Sequence, residues 1–166
     1  MSALAYVFEP MDDEVAREIA TWLYDPPYDF YNATSDPNDL EELLDPRRRE
    51  DSYFAAFDEG GELVGFFCFG TEARVPGGDY PECGVVDVGL GLRPDLAGRG
   101  LGLGFLLAGL EFARRRFGPD SFRLSVATFN ERAILVYERA GFRRAEVFAH
   151  STNGGEHPFL LMTRGA

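Results

Sequence analysis

Four glycines at alternate positions place the strongest constraint on how this 166-residue chain folds. They are Gly98, Gly100, Gly102 and Gly104 in "DLAGRGLGLGFLLAGLEF", a segment that continues into apolar residues at helical spacing. Glycine costs a helix interior roughly 0.5–1 kcal/mol relative to alanine. The N–H groups of a first helical turn have no partner within the helix and bind phosphate well. The glycines therefore either let a phosphate approach these N–H groups or only allow close packing of the helix on a sheet.

The residues around these glycines exclude two nucleotide-binding motifs. The dinucleotide fingerprint G-x-G-x-x-G requires a third glycine where this chain has Leu103 or Phe105. The P-loop requires a lysine, and this chain contains none. A phosphate-binding role for the segment has to rest on a different motif.

Runs of apolar residues predict alternating strands and helices in one domain over residues 1–166. The clearest signal is a hairpin in "DSYFAAFDEGGELVGFFCFG", where two apolar runs join around Gly60 and Gly61. Helices are predicted in "MDDEVAREIATWLY", "PNDLEELLDP", the glycine-led segment and "NERAILVYERAG". With the strands between them, the order is β-α-α-β-β-β-α-β-α-β-β, an α/β fold with helices packed on a mixed sheet.

The acidic composition limits the partners of the chain. Its formal net charge is −12, whereas nucleic acids and anionic membranes bind basic surfaces, so we expect neither as a partner. A cationic partner such as an amine is compatible with this charge. Cys68 and Cys83 show no pairing signature, and His150 and His157 lack metal-ligand spacing, so we expect no disulfide and no metal. The first residues lack a secretion signal and no apolar run reaches ~18 residues, which predicts a cytoplasmic protein.

Two motifs in order carry a resemblance to a known family. Residues 97–102 follow the pattern Gln/Arg-x-x-Gly-x-Gly/Ala, except that Ala97 replaces the long polar first residue. The segment "NERAILVYERAGF" follows at the family's distance, and its matching residues are Asn130, Ala133, Tyr137, Gly141 and Phe142. With both motifs the chain resembles the GCN5-related N-acetyltransferase (GNAT) superfamily, in particular members that acetylate the N-terminal alanine of ribosomal proteins.

The resemblance implies a fold, a co-substrate and an activity. The fold is a mostly antiparallel central sheet of about seven strands with helices on both faces and a splayed parallel pair in the middle. Acetyl-CoA lies between the splayed strands, and its acetyl group moves to a primary amine of a small molecule or a protein N-terminus. The alternative is a catalytically silent acyl-CoA-binding or sensing module of the same fold. A homodimer is compatible with the family.

The resemblance also assigns the coenzyme site. The pantetheine arm pairs with backbone groups of Leu90, Gly91 and Leu92, in a strand that Gly89 and Gly91 predict to bulge. Asn130 contacts the arm through its amide, although it is equally explained as a helix N-cap, and both roles are compatible. The loop that holds the phosphates consists of Gly98, Arg99, Gly100, Leu101, Gly102 and Leu103.

The catalytic residues are assigned less completely. Tyr137 matches the family's general acid, because a phenol with a pKa near 10 can donate to the departing thiolate, or it is a tyrosine that only packs on the sheet. The relatives that act on ribosomal proteins carry a glutamate base where this chain has Ser125. Glu82 and Asp87 remain as bases, directly or through a water, and both are equally compatible with structural or solvated roles. Strand alternation places Asp87 on the face of Gly89 and Glu82 on the opposite face, unless a bulge between them resets the alternation, so neither is preferred.

An aromatic segment, "YDPPYDFYN", falls where the family builds its acceptor wall. Tyr28, Phe30 and Tyr31 either line a pocket for the amine or cap the hydrophobic core.

Overall fold

The computed structural model describes residues 6–81 and 83–166, and it contains a seven-stranded sheet. Glu82, one of the two predicted bases, lies outside the described residues. The strands are β1 (Val7–Pro10), β2 (Tyr53–Phe57), β3 (Leu63–Phe69), β4 (Val85–Leu92), β5 (Ser121–Ala127), β6 (Arg143–Thr152) and β7 (Gly155–Gly165). The helices are α1 (Asp13–Ala20), α2 (Pro37–Leu44), α3 (Pro46–Arg49), α4 (Gly102–Phe117) and α5 (Glu131–Arg139).

The sheet contains one parallel pair at its centre. Its strand order is β1-β2-β3-β4-β5-β7-β6, and every neighbouring pair is antiparallel except β4 and β5. The parallel pairing runs from Val85 opposite Ser121 to Val88 opposite Leu124 and then stops, although both strands continue. The two strands therefore separate beyond this point and form a fork. This confirms the predicted fold class and its splayed parallel pair.

Helices pack on both faces of the sheet, because alternate residues of each strand point to opposite sides. The adjacent residues Ala55 and Ala56 of β2 belong to two different cores. One core contains the long helix α4 through Phe105 and Leu110. The other contains α1 and α2, through residues such as Ile19. The fork thus has α4 on one face and the α1–α2 layer on the other.

The glycine-led segment differs from the prediction in one respect. The helix begins at Gly102, so Gly98 and Gly100 precede it in a loop, with left-handed φ values of +75° and +79°. Residues with a Cβ rarely adopt this conformation, which explains part of the glycine content by backbone geometry. The helix ends at Phe117 and is capped by Gly118, which is also left-handed, as the sequence predicts.

Two other differences are local. Helix α1 ends at Ala20, earlier than its apolar pattern suggested. A one-turn helix, α3, was not predicted; the side chain of Asp45 caps it and Pro46 opens it. Asp and Pro in these positions favour a helix start, but so short a segment shows no apolar periodicity.

Candidate active site

The fork between β4 and β5 opens into a cleft of about 1160 Å³. One side is formed by β4, the loop before α4, and α5. The opposite side is formed by the aromatic segment at 28–31, α2 and the end of β6. Most residues predicted for the coenzyme and the amine meet in this cleft: Leu90, Gly91, Leu92, Gly98, Gly100, Gly102, Leu103, Asn130, Tyr137, Tyr28, Phe30 and Tyr31. Arg99 and Leu101 belong to the loop but do not line the cleft.

The backbone of β4 presents polar groups to the fork. The N–H of Arg93 donates to the carbonyl of Val64 at 2.8 Å, which fixes which residues of β4 bond to β3. Since these bonds alternate along an antiparallel pair, the N–H and C=O groups of Leu90 and Leu92 point away from β3 and into the fork. The hydroxyl of Tyr24 donates to the carbonyl of Leu92 at 2.5 Å. The polar groups of Leu90 and the N–H of Leu92 are therefore the ones that an extended ligand arm can reach.

The loop before α4 contains a run of backbone N–H groups without protein partners. From Gly98 to Gly104, no backbone N–H has a hydrogen-bond partner among residues 6–81 and 83–166. The first helical bond runs from the N–H of Phe105 to the carbonyl of Leu101 at 3.1 Å. Such donors at the positive end of a sixteen-residue helix form a site suited to phosphate.

Tyr137 on α5 projects a hydroxyl into the cleft. The residue is half-buried and lines the cleft, and its hydroxyl has no hydrogen-bond partner within the described part of the chain. Burial, with a smaller effect of nearby Tyr31, raises the pKa of Tyr137 well above its usual value of 10. The phenol therefore keeps its proton at any pH near neutrality and is free to donate it.

Asn130 connects α5 to the aromatic segment. Its side-chain oxygen accepts from the N–H of Ala133 at 3.1 Å, which is the N-cap geometry that the sequence allowed. Its side-chain nitrogen donates to the hydroxyl of Tyr31 at 3.1 Å. An amide nitrogen carries two hydrogens, so this contact leaves one for a ligand.

Asp87 is placed as a structural residue. It lies on the face of Gly89, as alternation predicted, but it is 1% exposed and does not line the cleft. Arg123 holds both of its oxygens, at 2.6 and 2.9 Å, and Arg74 donates to one of them at 2.9 Å. A carboxylate enclosed in this way cannot reach an amine in the cleft, so we do not retain Asp87 as a base.

The expected bulge in β4 is absent from the described pairing. β4 pairs with β3 in continuous register from Val88 to Leu92. Gly89 and Gly91 serve side-chain packing instead, since a Cβ at these positions would lie 2.6 Å from the sulfur of Cys68 and 2.5 Å from the ring of Phe66. The glycines thus keep this face of β4 flat where the cleft crosses it.

The aromatic segment both lines the cleft and packs on the core. Phe30 lies 5.4 Å from the ring of Phe129 and 6.2 Å from that of the buried Phe159. The side chain of Asn153, at the tip of the β6–β7 hairpin, donates to the carbonyl of Phe30 at 2.9 Å. The sequence left open whether this segment lines a pocket or caps the core, and in the structure it does both.

Comparison with known proteins agrees with this geometry. Residues 16–142 match the profile described as the Acetyltransferase (GNAT) family. The chain belongs to this GNAT family. It is 33% identical over 135 residues to a mycothiol acetyltransferase of Propionibacterium freudenreichii subsp. shermanii, a match that covers 81% of this chain and 40% of the relative. A mycothiol acetyltransferase of Rhodococcus erythropolis is 42% identical over 51% of this chain and 27% of its own length. The chain thus spans well under half the length of these GNAT relatives.

Solved GNAT structures share the fold of the whole chain. A spermidine N-acetyltransferase chimera from Vibrio cholerae and hSSAT superposes with a TM-score of 0.73 at 17% identity, over 96% of this chain and 95% of that one. The aminoglycoside acetyltransferase AAC(6')-Ib, in complex with coenzyme A, has a TM-score of 0.71 at 21% identity over 97% and 95% of the two chains. At these identities the likeness establishes the fold alone.

Several residues at this GNAT site were not assigned from the sequence. Tyr24 reaches β4 from the end of the first helical region, and Tyr80 reaches β5 from a loop; no spacing rule connects them to the fork. Arg132 lies with its guanidinium 4.0 Å from the ring centre of Tyr28 and beside Gly98. Its position two residues after Asn130, at the start of α5, was the available signal.

Two further observations concern the described residues as a group. None of their helices is long and apolar enough to cross a membrane. No three of their histidine, cysteine, aspartate or glutamate side chains are grouped so that they could hold a metal ion.

Proposed function

We propose that this chain transfers the acetyl group of acetyl-CoA to a primary amine by direct attack. The observation that carries the proposal is the run of N–H groups from Gly98 to Gly104, which have no partner among the described residues and lie at the fork of β4 and β5. It supplies donors for a pyrophosphate beside a gap that fits an extended thiol-bearing arm. We also propose that residues 1–166 form a single domain and that the protein is cytoplasmic. A homodimer is compatible with this proposal.

The proposed coenzyme site uses three groups of the protein. The pyrophosphate contacts the loop N–H groups, with Gly98 and Gly100 giving it room to approach the backbone. The pantetheine arm runs along β4 and bonds to Leu90, whose polar groups face the fork. The remaining side-chain hydrogen of Asn130 points to the same arm. These contacts place the thioester carbonyl near the backbone of β4, where N–H groups can stabilise the developing negative charge.

The proposed reaction joins the amine nitrogen to the acetyl carbon and breaks the bond from that carbon to sulfur. The acceptor must first lose its ammonium proton, because only the neutral amine has the electron pair for attack. Tyr137 then donates its proton to the departing sulfur. The nitrogen loses one proton as it becomes an amide, so the number of protons is conserved. The hydroxyl of Tyr137 supports this role, because it has no hydrogen-bond partner among the residues that the structure describes. Glu82 remains the proposed base.

Charge at the acceptor end of the cleft supports an amine acceptor. This end is lined by several carboxylates: Asp36, Asp39, Glu41, Glu42, Asp45 and Glu72. Arg48 pairs with Glu42 and Glu72, at 3.2 and 2.8 Å. The excess of negative charge favours a protonated amine over a neutral or anionic acceptor. The names of similar proteins, acetyltransferases of mycothiol, spermidine and aminoglycosides, agree with an acceptor of this kind.

Two measurements test the proposal and separate it from a silent binding module. CoA at 100 times its dissociation constant should stabilise the fold by ~2.7 kcal/mol, seen as a raised Tm. With acetyl-CoA and a panel of amines that includes spermidine and paromomycin, the chain should release free thiol. Stabilisation without thiol release would indicate the silent module, and the absence of both would remove the proposal.

A further inference from the structure

Ser125 lies at the point where the two central strands separate. The parallel pairing ends with Val88 opposite Leu124, so Ser125 is the first residue of β5 beyond it. It remains fixed by antiparallel pairing with Leu161 of β7. Its neighbours Leu124 and Val126 belong to the core beneath α4, so the side chain of Ser125 points to the opposite face and lines the cleft.

The hydroxyl of Ser125 is held by Tyr80. The two oxygens are 2.7 Å apart. The Tyr80 hydroxyl also accepts from the N–H of Val75 at 3.0 Å and lies 3.1 Å from the carbonyl of Val75. Its ring lies 4.9 Å from the guanidinium of Arg123 and 5.7 Å from that of Arg74. Tyr80 is therefore fixed at both its ring and its hydroxyl, and it fixes Ser125 in turn.

The number of available protons decides what Ser125 can offer to a ligand. A tyrosine hydroxyl has one hydrogen, and here the Val75 carbonyl is within reach of it. When Tyr80 donates to that carbonyl, Ser125 must donate to Tyr80 to form their bond. The serine oxygen, on a residue that lines the cleft, then keeps its lone pairs available as hydrogen-bond acceptors. The Val75 carbonyl is not basic enough to accept the proton of Tyr80 outright. The Ser125 and Tyr80 hydroxyls can therefore orient a hydrogen-bond donor in the cleft, but they cannot relay protons.

We propose that Ser125 orients the acceptor amine, with its oxygen accepting an N–H hydrogen bond from the attacking nitrogen, and that Tyr80 is the positioning residue behind it. The inference rests on the proposed acetyl transfer. The nitrogen gains positive charge as it bonds to the acetyl carbon, so its N–H becomes a stronger donor in the transition state. Loss of one such bond should lower kcat/KM for the amine about tenfold.

The experiment compares four single variants with the wild type. Ser125→Ala removes the acceptor oxygen, Ser125→Thr retains it, and Tyr80→Phe removes the supporting hydroxyl while keeping the ring over the guanidinium groups. Ser121→Ala is the matched control, since Ser121 lies on the same strand and does not line the cleft. Each variant is assayed for thiol release with spermidine and with paromomycin, and for the rise in Tm on adding CoA.

The expected result is a loss in kcat/KM for the amine of about tenfold in Ser125→Ala and a smaller loss in Tyr80→Phe. The rise in Tm with CoA should stay unchanged, and Ser125→Thr should recover most of the activity. Combining Ser125→Ala with Tyr80→Phe should add little, since both act through one hydroxyl. Wild-type rates in Ser125→Ala, or equal losses in Ser121→Ala, would overturn this inference alone. A wild type that releases no thiol with either amine would overturn the proposed function as well.

Discussion

Tyr137 is the residue on which the proposed chemistry depends most. Its hydroxyl lines the cleft without a protein partner in the described chain, so replacing it removes a proton donor and disturbs no internal bond. We expect Tyr137→Phe to lower kcat about 100-fold, the lower end of what a general acid contributes, with CoA affinity unchanged. Steady-state kinetics and calorimetric titration with CoA measure the two effects. Equal turnover in the variant would show that another group protonates the sulfur.

The raised pKa of Tyr137 sets the shape of the pH profile. A group with a pKa above 10 remains protonated throughout the pH range of the proposed assay. The rate should therefore rise with pH as the acceptor amine loses its proton and should show no descending limb up to pH ~9.5. Initial rates from pH 6 to 9.5 at saturating acetyl-CoA provide the test. A descending limb with a midpoint near pH 8 would mean that the acid has a lowered pKa, opposite to the direction that burial gives Tyr137.

Asp87 belongs to the stability of the sheet. Asp87→Asn leaves the guanidinium of Arg123, itself 3% exposed, without its charged partner. Breaking a buried pair in this way costs about 3–5 kcal/mol, which urea unfolding would detect. Asp95→Asn is the control, because Asp95 pairs with Arg93 at the surface, where solvent screens the pair, so its loss should cost far less stability. A normally stable but inactive Asp87→Asn variant would return Asp87 to the role of base.

Single site residues can be predicted from the sequence best where a motif surrounds them. Tyr137 and Asn130 share one helix, and their spacing is visible in "NERAILVYERAGF". The roles of Asp87 and Tyr80 depend on partners 36 and 45 positions away along the chain, Arg123 and Ser125. Alternation gave the face of Asp87 correctly, but which groups meet there is decided by strand register. No pattern within a strand encodes that register.

At the scale of the elements, the glycines of the loop before α4 and those of the helix itself have different structural roles. Gly100 has a left-handed φ of +79°, whereas Gly104 lies inside α4, where an added Cβ would meet nothing within 4 Å. Gly100→Ala should destabilise the fold by about 1–2 kcal/mol and weaken CoA binding, because the loop must change shape. Gly104→Ala should stabilise the fold by about 0.5–1 kcal/mol. Thermal unfolding with and without CoA measures both; a neutral Gly100→Ala would contradict the geometric role of this glycine.

The order of elements was predictable because most of them are long and regular. The hairpin of β2 and β3 and the helix α4 have apolar patterns of the right period, and the structure confirms them. The extra turn α3 and the early end of α1 were missed, since capping residues and tertiary packing decide them locally. The sequence placed glycines at the helix start, but it did not show that two of them precede the helix.

At the scale of the whole molecule, the chain is strongly acidic, but its fold gives the cleft two ends of different charge. The chain carries a formal charge of −12, yet Arg132 lines the cleft beside Gly98 of the loop before α4, while carboxylates line the acceptor end. An anionic coenzyme and a cationic acceptor would each meet the favourable sign. Composition gave the total charge; only the fold reveals how that charge is distributed.

The loop N–H groups that we propose to hold the phosphates of CoA can be observed one by one through amide NMR. In a titration of the 15N-labelled protein with CoA, the amide signals of Gly98, Gly100, Gly102 and Gly104 should shift downfield together as hydrogen bonds to phosphate form. Gly61, at the turn between β2 and β3 and away from the cleft, provides an internal reference that should not move. Saturable shifts confined to other parts of the protein, or no shifts at all, would contradict phosphate binding at this loop and the acetyl transfer that depends on it.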